Sequence, residues 1–281
     1  MGQIIACANQ KGGVGKTTTV VNLGTYLALA GDSVLVIDLD PQGNTTSGFG
    51  LDRGEIEHSV YEAIIEDALV SELVVETAIP GLSIVPSSIS LAGAEVELAP
   101  LPQRERRLAR ILTELVASYD YILLDCPPSL GLLTVNALTA ADAVVIPIQC
   151  EYYALEGLSQ LIATINLVRN HLNPDLAIKG VVLTMYDART NLSAEVDEEV
   201  RKHLGSAVFA TVIPRNVRLS EAPSYGQPIA LYRPDSKGAE AYASLARELR
   251  ERDGRPAAVP RAMPAGGTAA TDAGIASGEP A

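Results

Sequence analysis

Asn9-Gln10-Lys11-Gly12-Gly13-Val14-Gly15-Lys16-Thr17-Thr18 lies between a short apolar run, Ile4-Ile5-Ala6-Cys7-Ala8, and a stretch with apolar residues at helical spacing, Thr19-Val20-Val21-Asn22-Leu23 with Tyr26 and Leu27. Strand, glycine loop and helix in that order form the context a phosphate-binding loop requires. Gly12, Gly13 and Gly15 admit positive φ and put no Cβ between backbone and ligand. Successive N–H groups then converge on phosphate oxygens, and the helix expected over Lys16–Ala30 adds the positive end of its dipole. Lys16 is placed to reach the β- and γ-phosphates, and the Thr17 hydroxyl to ligate Mg²⁺. The loop departs from the common G-x-x-x-x-G-K-[ST] pattern at two points: Gln10 stands where that pattern has glycine, and a second lysine, Lys11, heads the loop.

Outward from the loop, apolar runs alternate with helical patterns, which predicts an α/β fold: one P-loop NTPase (Rossmann-like) domain, a mostly parallel twisted sheet of about seven or eight strands with helices on both faces. Strands are expected at Ser33–Asp38, Leu82–Pro86, Tyr121–Asp125, Ala143–Ile148, Lys179–Met185, Val208–Ile213 and Pro228–Ala230. Helices are expected near Ser59–Glu66, Arg104–Ser118, Leu130–Ala140, Leu155–Leu172, Ser193–Leu204 and Lys237–Arg252. The domain is read as residues 1–254, followed by a Pro/Ala/Gly-rich tail, 255–281, expected to be disordered.

Composition limits the function classes. The 281 residues are 47% hydrophobic but only 4% aromatic, which suits a sheet built of Val, Ile, Leu and Ala. Cys7, Cys126 and Cys150 lack C-x-x-C spacing and sit in or beside apolar runs, so buried reduced thiols are expected. There is no pattern for a signal peptide or a membrane span, and the expectation is a cytoplasmic protein. The net charge of −13 argues against indiscriminate polyanion binding. The charge is uneven: residues 1–100 carry 3 basic against 13 acidic side chains, so only the remainder can supply a basic face. Mixed sign and helical spacing make Arg104-Glu105-Arg106-Arg107-Arg110 read as a solvated helix face.

Two further segments end strands in carboxylates. Leu123-Leu124-Asp125-Cys126-Pro127-Pro128 has the Walker B form, with Asp125 expected to hold Mg²⁺ through water. Asp38-Leu39-Asp40-Pro41-Gln42-Gly43-Asn44 offers Asp40 to orient or deprotonate an attacking water, and Asp38 to bind outer-shell metal waters. In open α/β sheets ligands bind beyond the carboxyl ends of the strands, where all three segments fall.

Together, Lys11–Thr18, Asp38–Asn44 and Asp125–Pro128 resemble the deviant Walker A ATPases of the ParA/MinD class, and within it the ParA (Soj-type) partitioning ATPases. Tyr186-Asp187-Ala188-Arg189-Thr190-Asn191-Leu192 and Val212–Ser224 extend the resemblance over about residues 2–252. It implies an ATP- and Mg²⁺-dependent homodimer with Lys11 reaching the partner subunit's nucleotide, and Pro214 and Asn216 near the adenine. It further implies non-specific DNA binding through Arg189 and Arg218 in a nucleoid-associated protein, and a ParB-like partner that stimulates hydrolysis. The MinD-type alternative needs a C-terminal amphipathic helix for the membrane. Gly254, Pro256, Pro260, Pro264 and Gly266-Gly267 disfavour one, so no membrane partner is expected. Reductase ATPases that share an iron–sulfur cluster need paired exposed cysteines, of which Cys126 has no suitable companion. A scaffold that binds nucleotide without hydrolysing it is disfavoured by intact Lys16, Thr17, Asp40 and Asp125.

Overall fold

Each central strand sends alternate side chains into two separate cores, so the apolar runs read as continuous in sequence. Ile4, Ala6, Leu35, Ile37, Ile122 and Leu124 point to one core. Their neighbours Ile5, Cys7, Val34, Val36, Tyr121 and Leu123 point to the other. The computed structural model describes residues 2–151, 154–256, 258, 259 and 261. In chain order its elements are β1 (Gln3–Cys7), α1 (Lys16–Leu29), β2 (Val34–Asp38), α2 (Asn44–Gly48), α3 (Val60–Ile65), β3 (Val75–Glu76), β4 (Leu82–Val85), α4 (Leu91–Leu98) and α5 (Arg107–Leu112). They continue with β5 (Tyr121–Asp125), α6 (Leu132–Ala140), β6 (Ala143–Gln149), α7 (Ala154–His171), β7 (Ala177–Thr184), α8 (Asn191–Leu204), α9 (Val217–Glu221), α10 (Ile229–Tyr232) and α11 (Lys237–Arg252).

The strands form one seven-stranded sheet in the order β3-β4-β2-β5-β1-β6-β7. All neighbours are parallel except the short edge strand β3, which runs antiparallel to β4. Helices α3 to α8 cover the first core, through residues such as Ile64, Leu98, Leu108, Leu138, Leu161 and Val200. Helices α1 and α11 cover the second, through Leu23, Leu27, Tyr242, Leu245 and Leu249. The register decides where the site lies. Cys7 and Asp38 both pair with Asp125, so β1, β2 and β5 end level with one another at the carboxyl edge of the sheet.

Several expectations are corrected. Pro228–Ala230 is not a strand: Pro228, with φ −60°, stands at the N-terminus of α10, a position where a missing N–H costs nothing. Residues 208–213 lie beside β7 without forming a strand: they meet it in one isolated bridge, Val181 to Val208, and in the Phe209 and Ile213 amides that donate to the Val181 and Leu183 carbonyls. The helix expected over Arg104–Ser118 is reduced to a single 3₁₀ turn and the six residues of α5. Within that run Arg107 is buried rather than solvated, donating to the Ile64 carbonyl at 2.6 Å and to Asp67 at 2.8 Å. Packing continues past residue 254: Arg255 lies over the Tyr121 ring, and the Val259 and Arg261 amides donate to the carbonyls of Ala30 and Leu29. The remainder of the expected tail, 257, 260 and 262–281, lies outside the described residues.

Candidate functional site

The glycine loop leaves β1 and enters α1 with no side-chain cap, because Gly15 occupies the N-cap with φ 89°. Gly13 has φ 74°, so both glycines use a conformation that a Cβ would strain. Neighbouring side chains pin the loop. Asn9 donates through Nδ2 to the Pro147 carbonyl at 2.7 Å and accepts the Lys11 amide at 3.0 Å. Thr184, at the end of β7, donates to the Val14 carbonyl at 2.8 Å. The result is a fixed cradle, with the helix N-terminus open to an anion.

Above the cradle lies a cavity of about 560 Å³ lined by Gly12, Gly13, Gly15, Lys16, Thr17 and Thr18 from the loop and α1. Asp40, Gln42, Asn44 and Ser47 also line it, as do Met185, Leu219, Ala222, Pro223 and Gln227. The lining thus combines polar groups with apolar side chains, the combination a nucleotide needs for its phosphates and its base. Lys16 is 7% exposed and donates to the Lys11 carbonyl at 3.2 Å, which keeps its ammonium within the loop.

Asp125 is fully buried at the end of β5. Its Oδ2 accepts from the Thr17 hydroxyl at 2.7 Å and from the Thr45 hydroxyl at 2.6 Å. Its Oδ1 is buried with no hydrogen-bond partner. Burial pushes the Asp125 carboxyl above the usual range; the Thr45 and Thr17 hydroxyls pull it down, the Asp40 charge adds to the rise, and nearby Lys16 counters it. An orphaned carboxylate oxygen beside a hydroxyl that lines the cavity suits Mg²⁺ and its water shell.

Two aspartates stand at and just beyond the end of β2. Asp38 is fully buried, and its Oδ1 accepts the Asp40 amide at 3.1 Å. Its Oδ2 accepts the amide and hydroxyl of Thr46 at 2.9 and 2.7 Å. Both oxygens therefore shape the Asp38–Thr46 segment. Asp40 lines the cavity, with Oδ1 fixed by the Gln42 amide at 2.9 Å.

The remaining residues singled out in the sequence lie around this centre. Lys11 does not line the cavity; its ammonium pairs with Glu151 at 2.8 Å. Pro214 and Asn216 do not line it either: Asn216 caps α9 by accepting the Arg218 amide at 2.9 Å, and the apolar wall from that segment is Leu219, Ala222 and Pro223. Arg189 and Arg218 are exposed on the segments flanking the wall. Sequence reading missed Thr45, Thr184 and Glu151. The Gly43-Asn44-Thr45-Thr46 run carries a helix-start signal, whereas Thr184 and Glu151 acquire their contacts only through the β6–β7 pairing.

A family model described as an AAA domain matches residues 2–178. The sporulation initiation inhibitor protein Soj of Bacillus subtilis is 60% identical over 249 residues, covering 89% of this chain and 98% of that protein. The chromosome partitioning protein ParA of Myxococcus xanthus is 55% identical over 253 residues, covering 90% of this chain and 89% of that protein. Among solved structures, cobyrinic acid a,c-diamide synthase from Mycobacterium smegmatis with bound ADP and magnesium is 40% identical, with a TM-score of 0.79 over 92% of this chain and 100% of that one. The cell division ATPase MinD of Pyrococcus furiosus is 26% identical, with a TM-score of 0.76 over 89% of this chain and 99% of that one.

Proposed function

The chain belongs to the Soj/ParA family of chromosome-partitioning ATPases, and from that premise we propose that it is an ATP-gated dimer that binds DNA without sequence preference and acts with a ParB-like partner. As a member of the family it is an ATPase using ATP and Mg²⁺. The observation that carries the proposal is the convergence of Lys16, Thr17 and Asp40 on one cavity, with the half-satisfied Asp125 bonded to Thr17 behind it, while Lys11 does not line it and pairs with Glu151.

In this reading the amides of Gly12 to Thr18 and the Lys16 ammonium hold the phosphate oxygens, and the Leu219–Pro223 wall receives the base. Thr17 and Asp125 would hold Mg²⁺, with Asp125 acting through water. Bound there, the ion offsets phosphate charge. Asp40, held by the Gln42 amide, directs the attacking water. Lys11, delivered across a dimer interface, neutralises charge developing on the partner's γ-phosphoryl group, as an arginine finger does. Nucleotide binding and dimerisation then become one linked equilibrium.

Arg189 and Arg218 would meet DNA phosphates, which carry no sequence information. Dimerisation doubles a weak patch on one face and raises affinity through effective concentration. Among the described residues, no helix is long and apolar enough to cross a membrane. The test is co-sedimentation of the full chain with duplex DNA or anionic liposomes, in ADP, ATP or a non-hydrolysable analogue. Retention on DNA only with ATP or the analogue is expected. Retention on liposomes, or equal DNA retention in all nucleotide states, overturns the proposal.

A further inference from the structure

Arg189 and Arg218 have side chains 86% and 48% exposed, yet neither is a free cation. Arg189 donates from Nε at 2.9 Å and from Nη2 at 2.7 Å to the two oxygens of Asp187. That is the two-pronged grip a guanidinium offers to a phosphate. Arg218 donates from Nη1 to Glu221 at 2.7 Å, and Glu221 also accepts from the Tyr232 hydroxyl at 3.0 Å. Each exposed arginine thus has its own carboxylate a few residues away in sequence.

These pairs adjoin the cavity lining in the chain without lining it themselves. Asp187 follows two residues after Met185, and Glu221 lies between Leu219 and Ala222; Met185, Leu219 and Ala222 all line the cavity. The Tyr186–Pro214 bridge and the Arg215 amide, which donates to the Tyr186 carbonyl at 2.9 Å, tie the two segments together. Arginines and counter-ions therefore sit on two linked backbone segments that also supply cavity-lining residues.

We infer that Asp187 and Glu221 are built-in competitors of DNA phosphate, setting the affinity and the salt threshold of the basic face. The inference rests on the DNA reading proposed above. Each N–H of a guanidinium serves one oxyanion at a time, so a phosphate that takes the Nε–Nη2 edge of Arg189 or the Nη1 donor of Arg218 displaces the carboxylate held there, and one that takes the donors left over binds beside a like charge. The carboxylate that is displaced stays nearby and repels the phosphate. Exposed ion pairs are weak enough to be exchanged, so the face is attenuated rather than blocked. A chain of net charge −13 would in this way bind DNA only when several such contacts are made at once.

The experiment measures binding of the full chain, with Mg²⁺ and a non-hydrolysable ATP analogue, to a fluorescent duplex across a series of salt concentrations. Asp187→Asn and Glu221→Gln each remove one charge but keep an acceptor for the Arg189 amide and for the Tyr232 hydroxyl. Each is expected to tighten binding by about twofold to fivefold at fixed salt, and to carry binding to higher salt. Glu105→Gln, which frees Arg104 on a remote surface by the same change in charge, is expected to leave binding unchanged. Equal affinity and salt dependence for wild type and both variants overturns the inference while leaving DNA binding intact. An equal gain from Glu105→Gln reduces it to a net-charge effect and overturns it as well. Absence of DNA binding by wild type and variants alike, at every salt concentration, sinks the DNA reading itself and the inference with it.

Discussion

Asp125 and Asp38 end adjacent strands side by side, both fully buried. Burial raises both carboxyls above their usual range, and the Asp125 charge pushes Asp38 up further. A carboxyl raised in the folded state contributes stability that is present below its unfolded pKa near 4 and is lost as pH rises through the folded value. Without nucleotide or Mg²⁺, the thermal midpoint is therefore expected to fall from about pH 5 to about pH 8. Asp38→Asn, which cannot ionise, flattens that fall; thermal melts across the range check it, and a midpoint rising with pH in the wild type contradicts the assignment. Lys16→Ala tests the loop. Removing a buried ammonium from the phosphate site is expected to weaken ATP binding by at least about thirtyfold, read by calorimetric titration. If Asp40 directs the attacking water as proposed, Asp40→Ala separates chemistry from affinity: ATP binding is retained, while turnover falls about a hundredfold or more.

Among the elements, β7 shows how closely the site depends on packing away from it. Its last residue, Thr184, holds the loop through the Val14 carbonyl, while its middle is pressed by Phe209. A Cβ on Gly180 would lie 2.4 Å from the Phe209 ring, over which the Arg252 guanidinium lies at 4.0 Å. Gly180→Ala is expected to destabilise the domain by about 1–3 kcal/mol through overpacking, measured by urea unfolding, and an unchanged midpoint would mean Phe209 has room to shift. The same region marks the limit of what the sequence discloses. The strands β1, β2, β5 and β6 are legible because both their faces are buried, which leaves an unbroken apolar run. The places of the glycine loop after β1, of Asp125 at the end of β5 and of Asp40 just beyond β2 are legible because the apolar runs before them mark where the strands stop. Residues 208–213 look equally apolar, yet Phe209 and Ile213 fill the core without a full ladder, and only tertiary contacts decide that. Arg107 reads as a surface charge until the carbonyl of Ile64 captures it. The pairings of Glu151 with Lys11, Asp187 with Arg189 and Glu221 with Arg218 are not read from the sequence, since each depends on the cation the folded chain places against the carboxylate.

For the whole molecule, the position of Lys11 decides whether one chain suffices. Its ammonium is held by Glu151 with both side chains more than 40% exposed, and it does not line the cavity that holds Lys16. An exposed pair of this kind is worth little, roughly 1 kcal/mol at most, so a stronger anion brought by a second subunit can replace Glu151. A lysine that served its own nucleotide would be expected to face inward like Lys16. If instead it serves the partner's nucleotide, hydrolysis per chain must rise with protein concentration, because the active species is a dimer. Lys11→Ala is then expected to bind ATP with affinity within about threefold of wild type while remaining monomeric and losing turnover about a thousandfold, the scale of a missing arginine finger. Analytical ultracentrifugation with a non-hydrolysable analogue, together with phosphate release at rising chain concentration, makes both measurements on the same material. Turnover per chain that is independent of concentration in the wild type, or normal hydrolysis by a monomeric Lys11→Ala chain, would return Lys11 to an ordinary surface lysine and leave the loop complete within one subunit.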